Sequence, residues 1–236
     1  MAINKNSNGY TFIFAIVLVV VVGVSLAAIS IGLKPEQDKN IAIKKKMDIL
    51  GALKIECTRQ DATAKYDEFV KSDLCMVLNA EGDVIDGKAF DIDIKKEFKD
   101  KKIDPKDRKF PLYVATVEGS TKYVIPMVGS GLWGPVWGYV ALNEDKSSIY
   151  GATFDHKTET PGLGAEIKQE FFYSQFDSEV ISTGGTYAKI KVVKDGSGKT
   201  KQGAVDGITG GTITSKGVEE MLDRTLQVYV KYFAKN

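Results

Sequence analysis

Between Thr11 and Leu33 the chain reads TFIFAIVLVVVVGVSLAAISIGL, without a single charged side chain. At about 1.5 Å of rise per residue, a helix of that length crosses the ~30 Å hydrocarbon layer of a bilayer. Lys5 ahead of it and the small residues near Ala27 also suit a secretory signal. A signal's apolar core runs to only about 7–15 residues, however, so an uncleaved anchor is expected. This divides the chain into a short tail (1–10), a transmembrane anchor (11–33) and one folded domain (34–236). Lys34, Lys39 and Lys44 to Lys46 follow the span and only Lys5 precedes it. Taken alone, that bias favours a cytoplasmic domain, although long domains translocate regardless of flanking charge.

Charge and composition narrow what the domain can do. Lys+Arg number 32 and Asp+Glu 31, for a net charge of +1, so there is no basic excess to recruit nucleic acid. One His and two Cys argue against a His/Cys metal cage. Cys57 and Cys75 could pair in an oxidising compartment or remain free.

Pro35 is expected to end the membrane helix, with Glu36 to Asn40 as a polar link. Ile43, Met47, Leu50 and Leu53 then recur at helical spacing. Leu74 to Asp86 has the punctuation of a hairpin, and Asp91 to Arg108 reads as a solvated connection with one short helix. Leu112–Val117 and Tyr123–Val128 are β-rich and flank the turn Glu118-Gly119-Ser120. Tyr139–Leu142, Ser148–Phe154 and Tyr187–Val193 continue the strand texture. Val218, Met221, Leu222, Thr225, Leu226, Tyr229 and Phe233 form the apolar stripe of a closing helix. The fold class expected is α+β, an antiparallel sheet flanked by helices.

Three glycine-punctuated clusters could carry chemistry. Gly131-Leu132-Trp133-Gly134-Pro135-Val136-Trp137-Gly138 holds both tryptophans. It reads as a tight turn with its indoles in the core, or as a wall on which an aromatic ring stacks. Glu159-Thr160-Pro161-Gly162-Leu163-Gly164 is a turn whose glycines would let backbone approach a ligand. His156, just before it, has no Ser or Cys partner at an informative spacing and reads as a surface or loop histidine. In Asp206-Gly207-Ile208-Thr209-Gly210-Gly211-Thr212-Ile213-Thr214-Ser215, hydroxyls and bare backbone precede a helix. Such a helix start suits a phosphate; it also suits a plain cap from Thr214 or Ser215. The Gly-Lys-Ser/Thr ending of a P-loop is missing, and no Gly-x-Gly-x-x-Gly fingerprint follows a strand.

Thr209-Gly210-Gly211-Thr212 resembles the Ser/Thr-Gly-Ala-Thr flavinylation motif of the FMN-binding domains of bacterial respiratory complexes. The one departure is Gly211 in place of Ala. The resemblance implies that a flavin transferase esterifies FMN through its phosphate to Thr212. The amides from Ile213 to Lys216 would then face the phosphodiester. Asp206 falls where that family has the acidic residue recognised by the transferase. Glu159-Thr160-Pro161-Gly162-Leu163-Gly164 is similar to the same family, which includes components of the sodium-translocating NADH:quinone reductases and of the Rnf electron-transport complex. The Gly-Leu-Trp-Gly cluster favours the former.

The resemblance also implies an electron relay in the bacterial inner membrane. The flavin domain would face the periplasm, against the lysine bias, and other membrane subunits would be its partners. Leu132, Trp133 and Leu163 are then candidates for apolar contact with the flavin ring and Thr160 for polar contact. Gly162, Gly164, Gly210, Ile213 and Thr214 would complete the surroundings. A non-redox, membrane-anchored binding module is the competing class.

Overall fold

The computed structural model describes residues 7–236; Lys5 and most of the short tail lie outside the described residues. Helix α1 runs over Asn8–Ala52. Among the described residues it is the one helix long and apolar enough to cross a membrane. Phe12, Val19, Leu26 and Ile31 stand exposed around it. Pro35 does not end the helix, contrary to the sequence expectation. A proline inside a helix removes one N–H and crowds the preceding turn. The good helix formers that follow, among them Glu36, Gln37 and Lys39, continue the helix beyond that local loss.

Residues 46–236 form the second compact unit. It contains the last stretch of α1, where Ile49 and Leu50 are fully buried, followed by α2 (Ala62–Phe69). The hairpin β1 (Met76–Leu78) and β2 (Val84–Ile85) turns on Asn79, whose side-chain oxygen accepts the Glu81 and Asp83 amides. Helix α3 (Ile94–Lys99) is the short helix expected in the charged connection, capped by Asp93. The long strands are β3 (Phe110–Val117), β4 (Ser120–Ser130), β5 (Pro135–Leu142) and β6 (Ile149–His156). Together the six strands make an antiparallel sheet in the order β2-β1-β3-β4-β5-β6.

Alternation sorts side chains onto the two sheet faces. Ile125, Met127, Val136 and Val140 face one core. Tyr113, Ala115, Val124 and Tyr139 face another, together with Ile49 and Leu50 of α1. After β6 come α4 (Glu170–Tyr173), the short pair β7 (Ser182–Thr183) with β8 (Thr186–Tyr187), and the parallel pair β9 (Lys191–Val193) with β10 (Ala204–Asp206). The expected strand Tyr187–Val193 is thus divided between two small sheets. Of Ala188, Ile190 and Val192, which alternation places on one face of that segment, Ile190 and Val192 are buried and Ala188 is half-buried.

Helix α5 (Thr212–Lys235) lays the expected stripe across β4 and β5. Tyr229, fully buried, donates its hydroxyl to the Pro111 carbonyl at 2.7 Å. The helix begins six residues before the stripe does, and Gly217 explains how it fits there. A Cβ at Gly217 would overlap the Ser130 carbonyl oxygen at the end of β4. Alanine is better than glycine inside a helix by about 1 kcal/mol, whereas overpacking costs roughly 1–3 kcal/mol. Gly217→Ala is therefore expected to destabilise the domain in urea unfolding, against helix propensity. A more stable variant would contradict this close approach.

Candidate functional site

The sheet brings the three clusters to one end. Strand β4 finishes at Ser130, and residues 131–134 turn into β5, closed by the Gly131 amide on the Gly134 carbonyl at 2.7 Å. Val136 pairs with His156, so the loop leaving β6 emerges beside that turn. The close approach of Gly217 to Ser130 sets the start of α5 at the same place. The first cluster is therefore half turn and half strand: Trp133 is 66% exposed on the turn, while Trp137 packs from β5 against the core.

Glu159 joins the three clusters. Only 4% exposed, it accepts the Trp133 amide at 2.8 Å and the Thr214 hydroxyl at 2.5 Å. Its own amide donates to Nδ1 of His156 at 3.2 Å, so His156, half-buried at the end of β6, serves the loop and is not a free surface histidine. The Thr158 hydroxyl adds a bond to the Trp133 carbonyl. Burial pushes the Glu159 carboxyl upward, but the Thr214 hydroxyl and the Trp133, Leu132 and Gly134 amides outweigh it and hold it below the ordinary carboxylate value.

A carboxyl depressed on folding contributes stability that is complete above the unfolded value, about pH 4.3, and is lost as pH falls through the lower folded value. The difference in Tm between the wild type and Glu159→Gln should therefore shrink as pH drops below about 4. A difference constant from neutral to acid pH would contradict this.

The second cluster is held by its own backbone. The Thr160 carbonyl accepts the Leu163 and Ala165 amides, and the Gly162 amide donates to Glu166. Gly162 sits at φ +76°, where side-chain-bearing residues are strained. Gly164 is buried, and a Cβ there would meet both Thr214 and Glu159. Thr160 and Leu163 point outward, with Leu163 42% exposed.

The helix start differs from a capped one. Gly211 is the N-cap and no side chain caps the helix. Thr214 and Ser215 do not cap it, because both lie within the first turn and are buried. Ser215 donates to the Gly211 carbonyl and accepts the Ile208 amide, while Thr214 is committed to Glu159. The Ser215 amide already bonds the Gly211 carbonyl, so the amides without helical acceptors are those of Thr212, Ile213 and Thr214, of which only Ile213 and Thr214 belong to the expected 213–216. Thr212 is half-buried, and among the described residues no hydrogen bond engages its hydroxyl. Thr209 and Gly210 are exposed, and Gly210 lies over Leu163. A Cβ at Gly211 would sit 3.0 Å from Ile208 Cβ and 3.2 Å from the Gly164 amide, so glycine suits this tight contact between loops.

Leu132, Trp133, Leu163 and Ile213 are exposed apolar side chains on these same segments. Asp206 ends β10, where its carboxylate accepts the Gly198 amide at 2.9 Å. Cys57 and Cys75 are free, and the Cys75 thiol donates to the Lys71 carbonyl. The residue missed in sequence is Glu159. Its place directly before Thr160-Pro161-Gly162 was visible, but its inward turn toward segments 26 and 55 residues away was not.

Residues 131–227 match the FMN-binding domain family model, a span that contains all three clusters. The NqrC subunit of the Na(+)-translocating NADH-quinone reductase of Vibrio vulnificus is 29% identical over 212 residues, covering 84% of this chain and 82% of that protein. The crystal structure of the corresponding Parabacteroides distasonis protein is 39% identical, with a TM-score of 0.78 over 86% of this chain and 98% of that one. Shewanella oneidensis NqrC, at 21% identity and a TM-score of 0.67, shares the fold. With an anchor-length apolar helix, this sheet and these clusters in one order, the chain belongs to the NqrC family of Na(+)-translocating NADH-quinone reductase subunits.

Proposed function

We propose that the chain carries FMN as a phosphoester on Thr212 and relays electrons between other subunits of a sodium-translocating NADH:quinone reductase, with its flavin domain on the periplasmic side. The observation that carries the reading is the start of α5. Three amides without helical acceptors stand there beside a Thr212 hydroxyl that the protein leaves uncommitted among the described residues. Those amides and the positive end of the helix dipole suit an anionic phosphodiester. The exposed Leu132, Trp133, Leu163 and Ile213 offer the apolar contact that a flat ring needs, so the residues present fit FMN.

Bound FMN would supply reversible electron transfer, while the chain supplies its position and surroundings. A threonine hydroxyl is a poor nucleophile, and no base among the described residues hydrogen-bonds to Thr212, so attachment falls to a flavin transferase. In that step Thr212 Oγ1 forms a bond to the FMN-side phosphorus of FAD as the pyrophosphate bond breaks and AMP leaves. The hydroxyl proton passes to a base of the transferase. Asp206 is the proposed recognition residue for that enzyme, and Thr209, Gly210 and Gly211 complete the motif it reads. Thr160, Gly162 and Gly164 frame the ring.

Two measurements test the relay and its sidedness. The purified flavinylated chain should be bleached by a chemical reductant and left oxidised by NADH. Rapid bleaching by NADH alone would mean that a nucleotide site exists in this chain. Protease added to spheroplasts should digest the domain, and its protection would favour the cytoplasmic orientation that the lysine bias suggests.

A further inference from the structure

The flavin-bearing surfaces come from three segments far apart in sequence, and a single side chain binds two of them from the third. Glu159 sits in the loop after β6. One carboxylate oxygen takes the Trp133 amide of the indole turn and the other takes the Thr214 hydroxyl in the first turn of α5. No second ion pair or hydrogen-bonded side chain among the described residues joins that turn to that helix start. We propose that Glu159 is the positioning residue of the flavin site. Its buried carboxylate clamps the indole turn to the helix that presents Thr212, and its charge makes the bound flavin harder to reduce. The inference rests on the proposed attachment at Thr212 and extends it to the residue that sets the geometry and the potential.

The chemistry follows from the donors. A carboxylate accepts along both oxygens, and Glu159 uses both; the Thr214 hydroxyl it engages is buried, 1% exposed. Glutamine in its place keeps the length but offers one acceptor oxygen and an NH2 group. The Trp133 amide then has at best a neutral oxygen in place of a carboxylate, and the Thr214 hydroxyl, which can turn to accept from the NH2 group, loses the acceptor of its own proton. Losing a bond to a charged acceptor and leaving a buried donor unmet loosens the clamp. The charge acts separately from the clamp. A fixed negative charge shielded from water by protein is screened little by salt, and it opposes adding electrons to a group held between the segments it joins. Thr214→Val removes one hydrogen bond and keeps the charge, so the two variants separate the two effects.

The experiment uses the full chain in detergent, made with and without a flavin transferase, as wild type, Glu159→Gln and Thr214→Val. Hydrogen exchange is read at the Trp133 amide on the unloaded chains, and the flavin midpoint potential on the loaded ones. Exchange at Trp133 should quicken by about tenfold or more in Glu159→Gln, as expected when a bond to a charged acceptor is lost. The potential should move to more positive values in Glu159→Gln, and by clearly less in Thr214→Val. Wild-type exchange at Trp133 in Glu159→Gln overturns the clamp. An unshifted potential, or equal shifts in the two variants, overturns the role of the charge. A wild-type chain without covalent flavin would instead sink the attachment at Thr212, and the exchange measurement on unloaded chains would still decide the clamp.

Discussion

Thr212→Ala, made beside a flavin transferase, is expected to run on a denaturing gel without flavin fluorescence, while the wild-type chain fluoresces there. The four hydroxyls from Thr209 to Ser215 are not equivalent. Thr214 donates its hydroxyl hydrogen bond to Glu159, and the Ser215 hydroxyl donates to the Gly211 carbonyl and accepts the Ile208 amide. Both side chains are about 1% exposed, so neither can meet a second enzyme without unfolding the helix start. Thr209 is exposed but precedes the N-cap Gly211, away from the amides that would hold the phosphate. Thr212 alone combines an uncommitted hydroxyl with the first helical position. Loss of covalent flavin should therefore be complete in Thr212→Ala, with the fold retained, because the half-buried residue contributes little to the core. Fluorescence that persists in Thr212→Ala would move the attachment elsewhere.

Phe172→Ala should lose roughly 3–5 kcal/mol of stability. Phe172 is fully buried and meets Phe154 at 5.8 Å and Phe176 at 5.6 Å between ring centroids, each edge to face. Such pairs add about 0.5–1.5 kcal/mol beyond the area they bury. This aromatic group fastens the segment that follows Gly164 onto β6, so its loss should also free the loop carrying Thr160 and Leu163. The neighbouring Phe171 is 60% exposed, and its alanine variant should stay within about 0.5 kcal/mol of the wild type. Urea unfolding of the two variants checks the contrast. Similar stabilities would mean that the aromatic group does not hold the segment.

Much of this architecture was legible in sequence because it is set by short-range pattern. The hairpin at Glu118-Gly119 has positive φ at both turn residues, +52° and +77°, and the β-branched and aromatic residues on either side named β3 and β4. The stripe from Val218 to Phe233 marked the buried face of α5. Its true start was hidden, since Thr212 to Lys216 carry no stripe and the helix there is set by contact with Ser130. Pro35 misled because a proline penalty is local, whereas a helix of 45 residues is sustained by its many other bonds. Tyr187 to Val193 showed which side chains are buried but not where the chain changes pairing partner, from β7 to β10.

The site divides in the same way. Its glycines, indole and threonines could be read as clusters because turns and helix starts have local signatures. The convergence of the clusters, and the acid that clasps them, arise from strand register and helix packing between distant segments.

The attachment itself can be read from one peptide. Tryptic cleavage after Lys201 and Lys216 releases a fragment that holds Thr209, Thr212, Thr214 and Ser215 together. Mass spectrometry of the chain made beside a flavin transferase should find this fragment heavier by one FMN less one water, with the fragmentation series placing the addition on Thr212. The unmodified fragment alone, or the addition on Thr209, Thr214 or Ser215, would contradict the account.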